Sequence, residues 1–92
     1  MKTVYKYKWA DEVELPQKAK ILRADFQNDE LFFWAFVNPE APKEKRKLLL
    51  LPTGNVGIGD EQGLIYINTV FQGPYVWHLF EILEGYGGVM LR

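Results

Sequence analysis

Residues 20–37 are Lys-Ile-Leu-Arg-Ala-Asp-Phe-Gln-Asn-Asp-Glu-Leu-Phe-Phe-Trp-Ala-Phe-Val, and they decide the fold class. Apolar and polar side chains alternate over residues 20–27, which is typical of a β-strand with one buried face. Asn28 and Asp29 tolerate the left-handed backbone of a tight hairpin turn. Residues 31–37 are apolar on both faces, so the second strand should be central and covered on both sides by protein or by a partner subunit. The stretch predicts a β-hairpin.

The rest of the chain also reads as strands joined by turns and loops, and no segment shows a sustained helical period. Strand-like runs occupy residues 3–9, 45–51, 64–71 and 75–83. Residues 13–15 can add a short extended segment, whereas the Pro- and Gly-containing residues 38–43 and 52–63 indicate loops. We predict an all-β domain of about six short antiparallel strands over residues 1–84, either a small sandwich or a rolled sheet that forms a partial barrel. Residues 85–92 form a Gly-rich C-terminal tail.

Composition excludes several classes of protein. The 92 residues are 48% hydrophobic and 15% aromatic, which is too apolar for intrinsic disorder. No apolar run approaches the length of a transmembrane helix, so no membrane association is expected. Residues 1–6 carry positive charge but lack the apolar core of a signal peptide, so secretion is not expected. The chain has no cysteine, which removes disulfides and zinc–thiolate sites.

The charge balance argues against a dedicated nucleic-acid-binding protein. Eleven Lys and Arg residues face twelve Asp and Glu residues, which gives a net charge of −1. Proteins that bind duplex DNA usually carry a clear basic excess, so nucleic acid is not expected as the main partner. The charge is nevertheless uneven, because residues 43–47 are Lys-Glu-Lys-Arg-Lys. This segment predicts a local basic patch in a loop.

Catalytic chemistry has few candidates. The chain has neither serine nor cysteine, and its single histidine, His78, shares a predicted core face with Val76, Phe80 and Ile82. A general base needs an adjacent nucleophile, and a metal site needs several ligands. Neighbouring carboxylates such as Glu81 and Glu84 are expected at the surface. We therefore predict no enzyme, no catalytic residue, no metal site and no cofactor.

Three sets of residues are candidates for binding. The first is a set for a protein partner, with aromatic anchors on the last strand and a charged rim: Tyr75, Trp77, Lys43, Lys45, Arg46 and Lys47. The second is a set for a small ligand such as a nucleotide, near a glycine-rich turn that lacks the Lys-Ser/Thr of a Walker loop: Gly54, Asn55, Gly57 and His78. The third is a set for single-stranded nucleic acid: Tyr5, Lys6, Tyr7, Lys8 and Trp9.

Several short sequence motifs are more specific than the overall composition of the chain. They lie at residues 1–7, 14–22, 31–46, 52–54 and 71–81. Together they resemble a family of small uncharacterised proteins of bacteriophages and prophages, in which an apolar-Trp-Ala strand leads into a Val-Asp/Asn-Pro-Glu loop and the last strand carries aromatic-His-x-Phe-Glu. This chain differs in extending beyond Glu81 and in having Gly73-Pro74 where Gly-Gly is common. The resemblance implies a phage accessory protein in the cytoplasm of the infected bacterium, and it brings no catalytic residue.

The leading functional hypothesis is a non-catalytic protein that binds and inhibits or modulates a host bacterial protein, in defence or host takeover. Aromatic residues are abundant, and aromatic residues anchor protein interfaces. The alternatives are a protein that sequesters a small nucleotide signal and a weak binder of single-stranded nucleic acid. A homodimer is a further expectation, because a small chain with surplus apolar surface often covers it with a second copy.

Overall fold

A computed structural model describes residues 1–54 and 63–83 of the chain. These residues form seven strands and no helix: β1 (Thr3–Lys8), β2 (Glu12–Pro16), β3 (Lys20–Gln27), β4 (Glu30–Val37), β5 (Lys43–Pro52), β6 (Leu64–Gln72) and β7 (Tyr75–Ile82). The all-β prediction is confirmed. Among the described residues, no helix is available that could cross a membrane. The additional strand is β2, because the short extended segment predicted near residue 14 pairs along β5.

The strands form two antiparallel sheets. Sheet A has the order β1-β4-β3, and sheet B has the order β2-β5-β7-β6. Strand β4 is central in sheet A, as its apolar sequence predicts. One face of β4 carries the buried side chains Phe33, Ala35 and Val37.

Two tight turns follow the expected chemistry. Asn28 and Asp29 have φ values of 52° and 65°, and they connect the paired residues Gln27 and Glu30. Positive φ at both central residues is the geometry of a type I′ hairpin turn, which matches the twist of the strands it joins. The β6–β7 hairpin turns at Gly73, whose φ of 56° favours glycine at this position.

Both sheets contribute to one core. The buried members of this cluster are Leu15, Ala19, Ala24, Phe33, Ala35, Val37, Leu48, Val70 and Leu79. At one side of the core the edge strands β3 and β6 meet. Here the side chain of Asn68 accepts a hydrogen bond from the Ala24 amide and donates one to the Ala24 carbonyl, each at 2.9 Å. The Asn68 amide thus acts like a peptide group of a neighbouring strand, and it satisfies the outer edge of β3.

Asn68→Ala is expected to destabilise the domain, because it leaves the partly buried Ala24 amide and carbonyl unpaired. The expected loss is about 1–3 kcal/mol, which corresponds to a melting temperature lower by roughly 5–15 °C. Thermal unfolding followed by circular dichroism measures this change in melting temperature. Asn38→Ala is the matched control, because the Asn38 side chain accepts an exposed hydrogen bond from the Glu40 amide and the backbone hydrogen bond from Ala41 to the Asn38 carbonyl is kept. If both variants melted like the wild type, Asn68 would not join the two sheets.

Two local predictions are wrong. The basic segment 43–47 is not in a loop: strand β5 begins at Lys43, two residues before the predicted strand 45–51, and this segment pairs with β2. The alternation predicted over residues 20–27, which would put Leu22 on the buried face with Ala24 and Phe26, fails at Leu22, because the register of β3 shifts between Ile21 and Arg23 and leaves Leu22 exposed. A β-bulge of this kind moves one side chain out of the alternation. The predicted tail lies outside the described residues.

Candidate functional site

The outer face of sheet A carries a row of three aromatic side chains. Since Phe33 and Ala35 face the core, the alternate residues Phe32, Trp34 and Phe36 of β4 lie on the opposite side of the sheet. Phe32 and Trp34 are half-buried, and Phe36 is 40% exposed. The row occupies the middle of the sheet, so it is flanked on both sides by β1 and β3.

Cationic side chains flank this row in register. On β1, Lys6 lies opposite Trp34 and Lys8 lies opposite Phe32. On β3, Arg23 lies opposite Trp34 and Lys20 lies opposite Phe36. The Lys6 ammonium is 4.2 Å from the centroid of the Phe32 ring, and the Lys2 ammonium is 5.8 Å from that of Phe36. We call this surface the aromatic–cationic face, and it comprises Lys2, Lys6, Lys8, Lys20, Arg23, Phe32, Trp34 and Phe36.

The aromatic–cationic face concentrates positive charge. Its five cations are accompanied by two carboxylates on the same side of the sheet, at Asp25 and Glu30, which leaves a net charge of +3. Lys8 lies 3.6 Å from Glu30, and Arg23 lies 3.3 Å from Asp25, in exposed ion pairs. Since the whole chain carries −1, the remaining residues carry −4. The near-neutral total charge of the chain therefore hides a locally positive surface on sheet A.

The predicted nucleic-acid set is divided between the two faces of sheet A. Lys6 and Lys8 lie on the outer face, whereas Tyr5, Tyr7 and Trp9 lie on the inner side. Tyr7 stacks on Phe33 with 5.3 Å between ring centroids, and Trp9 meets the same ring edge-on. Burial raises the pKa of Tyr7, with a smaller contribution from Tyr5. The aromatic rings beside the lysines are therefore those of β4, which the sequence indicated only as a strand that is apolar on both faces.

The structure does not bring the predicted protein-binding set together. Pro52 of β5 pairs with Trp77, and Lys47 pairs with Ile82, so residues 43–47 and Trp77 lie toward opposite ends of sheet B. Tyr75 is 60% exposed. Trp77 instead packs against the core, and its indole N–H donates to the Gln72 side chain at 3.2 Å. Trp77 thus has a structural role as well as a partly accessible ring.

His78 belongs to a polar row on the outer face of sheet B. The prediction that it faces the core is wrong, because Leu79 takes the core position of β7 and His78 points the other way. The His78 Nε2 lies 2.6 Å from the Thr53 hydroxyl, and its Nδ1 lies 3.1 Å from the Thr69 hydroxyl. The Tyr66 hydroxyl continues the row at 2.6 Å from that of Thr69.

The predicted small-ligand set is placed only in part. Gly54 follows Thr53, which contacts His78, whereas Asn55 and Gly57 lie outside the described residues. Hydroxyl groups can donate or accept, so the polar row satisfies both nitrogens of His78 within the protein. The nucleotide hypothesis for this set stays a prediction.

Arg46 and Glu81 form an ion pair on the inner side of sheet B, so Glu81 is not the surface carboxylate that the sequence predicts. The Arg46 Nη2 donates to Glu81 Oε1 at 2.9 Å, and Nε donates to Oε2. The two side chains are only 16% and 10% exposed. Hydrogen bonding to Glu81 raises the pKa of Arg46 and outweighs the opposing effect of burial. The pair lies at a cleft of about 750 Å³ that Lys18, Ile65 and Leu83 also line.

Within residues 1–54 and 63–83, no three His, Asp or Glu side chains are grouped closely enough to hold a metal ion. No curated protein and no solved structure matches the chain. The sequence pattern of a domain of unknown function, DUF7352, matches residues 1–85. That match covers nearly the whole chain, including both sheets and the aromatic–cationic face. The chain belongs to the DUF7352 family.

Proposed function

We propose that this protein binds single-stranded nucleic acid on the aromatic–cationic face, without catalysing a reaction. One observation carries the proposal. Three aromatic rings alternate along the central strand of an antiparallel sheet, and a cation lies beside each of them in register. Stacking of bases on aromatic side chains, combined with basic groups that follow the backbone, is how proteins bind single strands without reading a sequence.

The geometry suits an extended strand. Alternate residues of a β-strand are about 6.8 Å apart, so Phe32, Trp34 and Phe36 offer successive stacking positions to bases that are splayed out. A duplex keeps its bases stacked on each other and would meet only the lysines. The proposed preference is therefore for single strands over duplexes.

A near-neutral total charge argues against binding of nucleic acid only when the positive and negative charges are spread evenly over the surface. In this protein the proposed surface carries +3 and the remaining residues carry −4. Attraction to phosphates depends on the local potential within about 8–10 Å at moderate salt, and the remote carboxylates are screened at that distance.

Binding of a fluorescein-labelled oligothymidine tests the proposal. A length of about twelve nucleotides is within the site sizes of single-strand-binding folds. We expect a rise in anisotropy at low salt that weakens as salt increases. A duplex of the same length is the control and should bind several-fold more weakly. Absence of binding to both DNA and RNA oligomers at low salt would refute the proposed function.

Binding of a host protein is the second candidate, in the context of a phage accessory protein that acts in the bacterial cytoplasm, alone or as a homodimer. Tyr75, which is 60% exposed and has its ring centroid 6.3 Å from that of Trp77, supports it as an aromatic anchor. A tagged pull-down from nuclease-treated host lysate tests it. One enriched protein that is lost with Tyr75→Ala would support this function, and light scattering of the free protein would test the dimer.

A further inference from the structure

We propose that a single strand bound on the aromatic–cationic face runs along β4 with its phosphates on the β1 side and one base on each aromatic ring. This inference rests on the function proposed above. It assigns phosphate contacts to Lys2, Lys6 and Lys8 and to the outward amides of β1. It also assigns a structural role, without phosphate contact, to the opposite strand β3.

The free edge of β1 supplies backbone donors on this side. The Trp9 amide donates to the Leu31 carbonyl at 2.9 Å, in the same register that pairs Tyr7 with Phe33 and Tyr5 with Ala35. Hydrogen-bonded pairs alternate along an antiparallel ladder, so the odd-numbered residues of β1 bond to β4. The amides of the even-numbered residues therefore face away from β4, and no other strand in the described parts of the chain pairs with that edge.

The same even-numbered residues carry the cationic side chains. Lys6 and Lys8 thus present a side chain to the outer face and a backbone N–H to the free edge. The Lys6 ammonium reaches over the Phe32 ring and donates to the neutral Gln27 side chain of β3 at 2.7 Å, so a phosphate on the β1 side would have to take it from that amide. Val4, between them and Lys2, adds a third outward amide beside Phe36. Backbone N–H groups and lysines are both common phosphate donors. The β1 side therefore offers donors at the same spacing as the aromatic rings.

The backbone donors on the β3 side are already occupied. The Ala24 amide on its outer edge already donates to Asn68, and the Phe26 amide donates to the Asp25 carboxylate at 2.8 Å. The other Asp25 oxygen accepts from Arg23 at 3.3 Å. A phosphate on this side would meet the negative charge of Asp25 and would compete with it for Arg23. Lys8 on the β1 side pairs in the same way with Glu30, at 3.6 Å, so the ion pairs do not distinguish the two sides. The backbone edges do, because no strand in the described parts of the chain pairs with the outward amides of β1, whereas those of Ala24 and Phe26 on β3 already have acceptors, and this difference selects the β1 side.

Salt dependence of binding distinguishes the two sides. Each phosphate contact to a single strand contributes about 0.7 to the slope of log K against log salt, so three contacts predict a wild-type slope of about −2. With labelled oligothymidine as the probe, we expect the double variant Lys6→Ala, Lys8→Ala to lose about 1.4 of that slope. The matched double variant Lys20→Ala, Arg23→Ala on β3 should lose less than about half as much.

Thermal unfolding of both double variants verifies that they are folded, which is expected because all four side chains are exposed. Equal losses of slope for the two variants, or a larger loss for the β3 variant, would overturn the inference and leave the proposed function intact. Failure of the wild-type protein to bind any oligomer would remove the proposed function itself. The two failures are therefore separate results.

Discussion

Arg46→Met is expected to lower the stability of the domain more than any exposed substitution. Methionine keeps most of the apolar stem but leaves the buried Glu81 carboxylate without its partner. Breaking a buried ion pair from one side costs about 3–5 kcal/mol, and the slight exposure of this pair suggests about 2–4 kcal/mol. For a domain of this size, that corresponds to a melting temperature lower by roughly 10–25 °C.

Lys45→Ala is the control for Arg46→Met. Lys45 is adjacent in β5 and also belongs to an ion pair, but its contact with Glu12 is 3.8 Å long and exposed. Exposed pairs contribute about 0–1 kcal/mol, so this variant should melt near the wild type. The combined variant Arg46→Met, Glu81→Leu should recover most of the loss, because it removes both charges. A single variant Arg46→Met that melted like the wild type would show that the pair does not stabilise the fold.

Trp34→Ala is expected to have the largest effect on binding of single-stranded oligomers. Trp34 is the middle ring of the aromatic–cationic face and has a cation on each side, Lys6 and Arg23. Loss of one stacked base typically costs about 1–3 kcal/mol, which is a reduction in affinity of roughly 5- to 150-fold. Fluorescence anisotropy with labelled oligothymidine measures it.

Two further variants make this result interpretable. Phe36→Ala removes a more exposed ring of the same row, so it should weaken binding with less effect on folding. Tyr75→Ala removes an exposed aromatic ring of sheet B and should leave oligomer affinity unchanged. Unchanged affinity in folded Trp34→Ala and Phe36→Ala variants would contradict the stacking role of the row.

The hairpin of β3 and β4 shows which features of the fold can be predicted from local sequence. The turn at Asn28-Asp29 and the central position of β4 both follow from residue types that have one favourable arrangement. The bulge at Leu22 does not follow, because it depends on how β3 meets β6 through Asn68. The sequence indicates strand β2 only as a short extended segment, because what stabilises β2 is its pairing with β5.

The aromatic–cationic face shows a second limit of prediction from sequence, which concerns contacts between strands. Because side chains alternate along a strand, residues 5–9 must divide between two faces, with Lys6 and Lys8 on one and the Tyr5, Tyr7 and Trp9 rings on the other, and the structure has this division. Which rings lie beside the lysines depends on the neighbouring strand in the sheet. Strand pairing across some thirty residues of sequence is set by the whole core, so the row of Phe32, Trp34 and Phe36 could not be joined to β1 from the sequence.

Sequence alone determined the all-β class, the hairpin turns and the central position of β4, because these follow from side-chain period and from the backbone preferences of single residues. Tertiary structure alone decided that Glu81 is buried against Arg46, that His78 faces outward and that the cations gather beside the aromatic row. Each of these depends on which strands are neighbours and in which register. A shift of one residue would exchange the two faces of a strand, and only the packing of both sheets around one core selects among the registers.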